Sequence, residues 1–281
     1  MKSSSRFFPV EIISAEARDN YFEDSYSLKP NNSADVTVEI SLTHLHPITE
    51  SKQSQVLLVH DVFQTHWQFD DSPYESLTNQ LLAAGYSVWL MDWRSHGSSK
   101  KNKDASSNYI MQMAEFDVPS VVKFINEQRP HPIHLIGVGY GAQLALQSIR
   151  FSLPVYRYYC VDAKSIRAKK RYWIPGVKFL KQLKLIGKTW IKGPGTELEH
   201  SAFFKHELKR HGFFSYFTQK EAKPALEALK QSANRIYWLP TSSSGVALAR
   251  RHLKQRARIN RVSKTQLANE LFKLVEQERL G

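Results

Sequence analysis

The sequence predicts an α/β fold: a doubly wound, mainly parallel sheet with an inserted helical cap. Three observations predict it. Short, continuous apolar runs, as expected of strands buried on both faces, alternate with stretches of helical spacing. One such run, Ile133-His134-Leu135-Ile136, passes through Gly137-Val138-Gly139-Tyr140-Gly141 directly into a helix-like stretch, Ala142 to Leu146. Between Asp162 and roughly Ala225 the strand pattern stops, and a basic, aromatic stretch takes its place.

The elements follow in order. Alternation over Val36–Leu42 predicts an early antiparallel strand with one wet face. Gln55–His60 reads as a buried parallel strand. Tyr74 to Ala84 carries Leu77, Leu81 and Leu82 at helical spacing, and Gly85 caps it. Tyr86–Asp92 is a further buried strand, Met111–Gln128 a helix, and Ile133–Val138 the strand into the glycine-rich turn. Strands at Val155–Val161 and Arg235–Leu239 follow, with a last one at Arg258–Val262. Val262–Arg279 closes the chain as an amphipathic helix, with Leu267, Leu271, Leu274 and Val275 on one face.

With 281 residues and 42% hydrophobic content, the chain has the length for one substantial core. It is read as a single domain over 1–281, divided into an N-terminal core (1–162), a basic cap insertion (163–225) and a C-terminal core (226–281). The net charge of +13 favours anionic partners, or marks a generally basic surface. The single Cys160 excludes an internal disulfide and fits a reducing compartment. No apolar run approaches a membrane span, and Met1–Phe8 lacks the apolar stretch of a signal peptide. A cytoplasmic location, peripheral at the membrane if the cap binds lipid, is therefore expected. No motif calls for a cofactor.

Strand, Gly-x-x-x-Gly and helix form the frame of a nucleophile elbow, a tight turn that holds one reactive side chain exposed. Here that position is Gly139. Glycine can neither attack a carbonyl nor carry an acyl group. Two further segments match the same architecture. Val56-Leu57-Leu58-Val59-His60-Asp61 is similar to the strand and His-Gly turn that builds half of an oxyanion hole. Gly85–Ser99 is close to a strand followed by an Asp-x-Arg-Gly-His-Gly-x-Ser loop. Together the three segments resemble the α/β-hydrolase fold family over roughly residues 36–162. The wording Gly-Tyr-x-Val-Trp-Leu, with Met113–Pro119 ahead of the elbow, looks most like the acid-lipase and polyester-synthase-like branches. The Gly-Val-Gly-x-Gly-Ala form after His60-Asp61-Val62 also looks like the N-myc downstream-regulated family, which is regarded as non-catalytic.

The resemblance implies a Ser, acid and His in that chain order, and the sequence departs from all three. The nucleophile position is Gly139, Pro240–Gly245 after the expected acid strand contains no carboxylate, and no His follows His252. Asp162 is an alternative acid with nothing to orient. Asp61 stands where the family usually has Gly; a carboxylate pointing inward there would oppose developing negative charge. The hole's backbone donors are Val62 and Tyr140 by position. The expectation is a catalytically degenerate protein, a pseudoenzyme with no catalytic residue, whose pocket lies beneath the cap near His60, Asp61, Val62, Gly139 and Tyr140. A lipid or acyl ligand is favoured through the lipase-like resemblance alone. The alternative is an active ester or lipid hydrolase in which Asp61 or His60 activates water.

Ala163–Lys192 holds ten Lys/Arg and no Asp or Glu. After Pro175-Gly176, Lys178, Lys181, Lys184, Lys188 and Lys192 share one helical face, and Phe179, Leu180, Leu183, Ile186 and Trp190 gather on the other. Two readings are open. The apolar face packs on the core and leaves the lysines in water, or the segment lies on an anionic membrane through its lysines and Trp190. A second basic cluster, Arg250, Arg251, Lys254, Arg256, Arg258 and Arg261, would extend the surface, but nucleic acid is disfavoured because no stacking platform or reading motif accompanies it. His60, His66 and His96 fall near one end of the sheet without completing a metal-ligand set, so no metal is assigned. Ser242-Ser243-Ser244-Gly245 reads as a helix N-cap rather than an anion cradle.

Overall fold

The computed structural model describes residues 5–49, 52–166, 176–211, 223–253 and 258–278. Strands β1 (Val10–Ala17), β2 (Tyr21–Leu28) and β3 (Ile40–Pro47) form an antiparallel meander. Then follow β4 (Gln55–Val59), α1 (Leu77–Ala83), β5 (Ser87–Met91), α2 (Val118–Gln128), β6 (Ile133–Val138), α3 (Tyr140–Ser148) and β7 (Val155–Val161). The segment after β7 supplies α4 (Val177–Leu183), a two-stranded pair β8 (Trp190–Lys192) and β9 (Leu198–His200), and α5 (Ser201–Arg210). The chain closes with α6 (Lys223–Gln231), β10 (Ile236–Leu239), α7 (Ser243–Leu253), β11 (Arg258–Ile259) and α8 (Leu267–Gln277).

The main sheet runs β1-β2-β3-β5-β4-β6-β7-β10-β11. From β5 onward all neighbours are parallel; β3 joins β5 antiparallel. The period of two along each strand divides the core into two layers. Leu57, Val59, Trp89 and Leu135 face α2, α3, α6 and α7; Val56, Leu58, Leu90 and Ile136 face α1 and α8. The stripe Leu267, Leu271, Leu274 and Val275 is buried as its spacing predicts, each side chain contributing about 2 kcal/mol by removal from water. At the end of α1, Gly85 adopts φ +88°; its N–H donates to Leu82 C=O at 2.9 Å and that of Tyr86 to Leu81 C=O at 3.0 Å, the left-handed cap that the sequence predicts.

Four features differ from expectation. The pair β8–β9 lies in the stretch after Asp162 where no strand was expected. The early strand begins at Ile40 rather than Val36, because Asp35 accepts from the Thr37 N–H at 2.8 Å and its hydroxyl at 2.6 Å, folding the chain into a turn there. The last strand pairs only through Arg258 and Ile259. The hairpin β1–β2 carries no signal that the sequence reading could use, since β1 buries only Val10.

Candidate functional site

The strand β6 enters α3 through Gly139, at φ 55° and ψ −110°. This left-handed conformation is easy for glycine and costly for other residues. Gly141 allows the helix to approach β4: a Cβ there would overlap the carbonyls of Val59 and His60. The elbow and the end of β4 are thereby pressed together, which brings Asp61 over Gly139. A Cβ built on Gly139 would overlap the Asp61 carboxylate.

That carboxylate is turned inward. Its Oδ1 accepts from the Tyr140 N–H at 2.6 Å and from its neighbour's, Val62, at 2.8 Å. These two amides are the ones expected to receive an oxyanion. Asp61 itself is steadied by its N–H, which donates to Gln68 Oε1 at 2.7 Å. Burial raises the Asp61 pKa, and the bond from Tyr140 and the charge of Lys164 oppose that rise. Lys164 was not singled out in the sequence; it sits 5.8 Å from the Tyr140 ring centre.

The residues around the site are held by one another. His60 is fully buried; its Nδ1 lies 2.7 Å from the Asp61 carbonyl and its Nε2 accepts from the Trp93 N–H at 3.0 Å. Burial pushes its pKa down to about 3, so it is neutral at physiological pH. Asp92 binds His66 Nδ1 at 2.8 Å, and Arg94 pairs with buried Asp117 from the turn ahead of α2. The neighbouring Asp92 and Arg94 thus hold separate partners. Asp162, at the end of β7, accepts from the Thr241 N–H at 2.8 Å and hydroxyl at 2.7 Å, tying the ends of β7 and β10 together. Its carboxylate is committed to that tie. His252 turns its Nδ1 to the Leu248 carbonyl at 2.9 Å, within α7. Ser242 caps α7, accepting from the Gly245 N–H at 3.2 Å, so the N-cap reading of that serine run accounts for its geometry.

The segment after β7 lies across this end of the sheet through acidic anchors. Glu199 reaches His96 Nε2 at 3.2 Å, and Glu197 accepts from the Gly97 N–H at 3.2 Å. Burial lowers the His96 pKa, but the bond and charge of Glu199 prevail and raise it. Beneath the segment is a cavity of about 480 Å³, whose walls include Phe63, Tyr140, Phe204, Leu208, Lys181 and Lys184. Of the expected ligand contacts, Tyr140 lines this cavity; His60, Asp61 and Val62 are not among its lining residues. His211 is buried in the cavity wall. His200 caps α5, and His206 stacks on Tyr109 at 3.8 Å.

The helix expected through Lys192 ends at Leu183, and Trp190 and Lys192 lie in β8, so the five lysines do not share one helical face; the apolar residues expected to pack on the core are exposed. No residue of α4 is buried. Phe179, Leu180 and Ile186 are 60%, 59% and 67% exposed, and Leu183 and Trp190 are exposed with them. Lys181 and Lys184 meanwhile line the cavity. Lys188 is exposed and Lys178 half-buried. Arg167, Lys169, Lys170 and Arg171 of the same stretch lie outside the described residues, as do Lys254 and Arg256 of the second basic cluster. Among the described residues, no helix is long and apolar enough to cross a membrane.

Comparison with known proteins gives this architecture a family. A sequence model for the alpha/beta hydrolase family matches residues 56–259. Human Lipase member M is 29% identical over 186 residues, which covers 61% of this chain and 40% of that protein. The chain thus spans less than half of that relative. Among solved structures, a cold-adapted esterase from an Arctic intertidal metagenomic library superposes with a TM-score of 0.56 at 14% identity, covering 96% of this chain and 98% of the esterase. The haloalkane dehalogenase DatA from Agrobacterium tumefaciens C58 gives 0.55 at 11% identity, covering 91% and 97%. At such identities the superpositions speak for the fold alone. The sequence match runs from the first parallel strand to the last and takes in the elbow, and by it the chain belongs to the α/β hydrolase family.

Proposed function

We propose that this protein is a non-hydrolytic member of its family that binds a lipid-like anion, an apolar chain with an acidic head, beneath the segment 176–211. The observation that carries the reading is the Asp61 carboxylate bonded to both Val62 and Tyr140 amides over a side-chain-free Gly139. An incoming oxyanion would have to displace a carboxylate that already satisfies those donors. The water-activating alternative finds less support: both His60 nitrogens are engaged, and burial keeps the ring a weak base. The cavity supports the ligand class, with Phe63, Tyr140, Phe204 and Leu208 for a chain and Lys181 and Lys184 for a head. Glu207 in the same wall is balanced by Arg210 at 2.7 Å.

A second reading, peripheral docking on an anionic membrane, is favoured by the outward apolar side of α4 set among lysines. The two readings are compatible, since different residues serve them: Lys181 and Lys184 at the cavity, and Phe179, Leu180 and Leu183 on the outside.

The test of the first reading pairs turnover with binding. The purified protein, beside a heat-denatured control, is offered esters of short to long acyl chain, and a fluorescent long-chain carboxylate is titrated separately. The expected result is no turnover at any chain length and saturable binding that falls at least about tenfold in Lys181→Glu/Lys184→Glu, as for loss of a charge-assisted contact. Turnover above control that disappears in Asp61→Asn or His60→Gln would overturn it.

A further inference from the structure

The opposite end of the sheet carries a second cluster that the site above does not use. Asp24 on β2 and His44 on β3 are direct cross-strand partners, and His46 lies two residues further along β3. The strand period therefore puts all three on one face. One ring nitrogen from each histidine and one carboxylate oxygen of Asp24 lie within 4.8 Å of one another. His46 Nε2 is 3.6 Å from Asp24 Oδ2. Ligand atoms around a tetrahedral zinc-class ion at ordinary bond lengths sit about 3.3 Å apart, so this edge is near its bound length.

His44 is the fixed member. It is 5% exposed and stacks flat on Trp89, with ring centres 3.7 Å apart and planes at 2°. Trp89 is itself fixed, its Nε1–H donating to Gln55 Oε1 at 3.0 Å. The His44 Nε2 is buried and makes no hydrogen bond. Buried polar nitrogens are almost always satisfied, and an absent ion is one reason for an exception. Asp24 and His46 are the adjustable members: their side chains are partly exposed and can close on an ion from the rim. The nearby Arg129 guanidinium acts on both histidines and opposes a cation; Asp24 supplies the countercharge.

We propose that Asp24, His44 and His46 form a binding site for a zinc-class divalent metal ion, with one position open to solvent, that clamps β2 to β3. Two imidazoles and a carboxylate suit a borderline late first-row ion rather than calcium or magnesium, which take oxygen ligands. The site is independent of the cap cavity.

The experiment uses the full chain, stripped with chelator and titrated with zinc by calorimetry, then with cobalt for its ligand-field absorption. The expected result is one ion per chain at micromolar or tighter affinity, with a tetrahedral or five-coordinate cobalt spectrum. Asp24→Asn and His46→Ala should each weaken binding roughly tenfold or more. His44→Phe keeps the stack on Trp89 while removing both nitrogens, so a folded protein that no longer binds would support the site without appeal to misfolding. Absence of binding, or binding of the same strength and stoichiometry in all three variants, would overturn it.

Discussion

At Gly139 two substitutions act on each other. Gly139→Ser would place a side chain at φ 55° and into the Asp61 carboxylate. Strain and overpacking together should cost about 2–4 kcal/mol of stability. In Asp61→Gly/Gly139→Ser the overlap is gone, so the double variant should recover more than about 1 kcal/mol relative to additivity. A double-mutant cycle by urea denaturation measures this, and additive losses would show that the contact does not matter. Neither variant should gain esterase activity, because among the described residues Asp162 is tied to Thr241 and both ring nitrogens of His60 are engaged. That the elbow position is Gly139, that Pro240–Gly245 holds no carboxylate and that no His follows His252 is legible from the sequence alone. The direction of the Asp61 carboxylate is not, because it depends on the close approach of α3 to β4 at Gly141. The His44-Leu45-His46 spacing was likewise on view, but Asp24 joins it only through the β2–β3 register, and β2 gave no readable alternation.

The element that departs most from its sequence reading is α4. Its spacing announces an amphipathic helix, but spacing is silent on which face meets the protein. Lys181 and Lys184 edge the cavity while staying exposed, and Phe179, Leu180 and Leu183 are exposed as well. If these apolar residues dock on a membrane, the protein should co-sediment with vesicles rich in phosphatidylglycerol and not with phosphatidylcholine alone. Phe179→Ser/Leu183→Ser/Ile186→Ser should abolish that binding. Loss of Lys178 and Lys188 should weaken it by about 1 kcal/mol each at low salt. Equal binding to neutral vesicles, or indifference to the apolar triple variant, would argue against docking through this helix. By contrast, β4–β7 and the buried stripe of α8 matched their sequence reading, although α8 begins at Leu267 rather than Val262, because burial on a defined face left them a single orientation.

For the whole molecule, buried histidines set the pH response. Burial holds His60 at about 3 and His134 at about 4, against 6.5 for a free ring. The unfolded chain therefore takes up protons below about 6.5 that the folded chain refuses. The stability these residues contribute is complete above that value and is lost as pH falls towards 4. The protons of His60 and His134 alone give a slope of up to about 2.7 kcal/mol per pH unit, and burial lowers His44, His46 and His200 in the same sense. His96, raised by Glu199, acts in the other sense. Its contribution is complete below about 6.5 and is lost as pH rises through its folded value. Urea midpoints measured across pH should pass through a maximum, and His96→Gln should flatten the alkaline side while leaving the acid side intact. A monotonic profile would contradict this arrangement.

The contact between Asp61 and Gly139 also orders events in time. A serine at 139 and an inward carboxylate at 61 claim the same space. If an ancestor of this chain carried the serine, glycine had to arrive before the aspartate could turn inward. Once the aspartate had settled on the two amides, restoring the serine alone would bring a clash instead of a nucleophile. The change then works as a ratchet: each later generation inherits a fold in which the single-step return to a serine elbow is selected against on stability, whatever the advantage of hydrolysis.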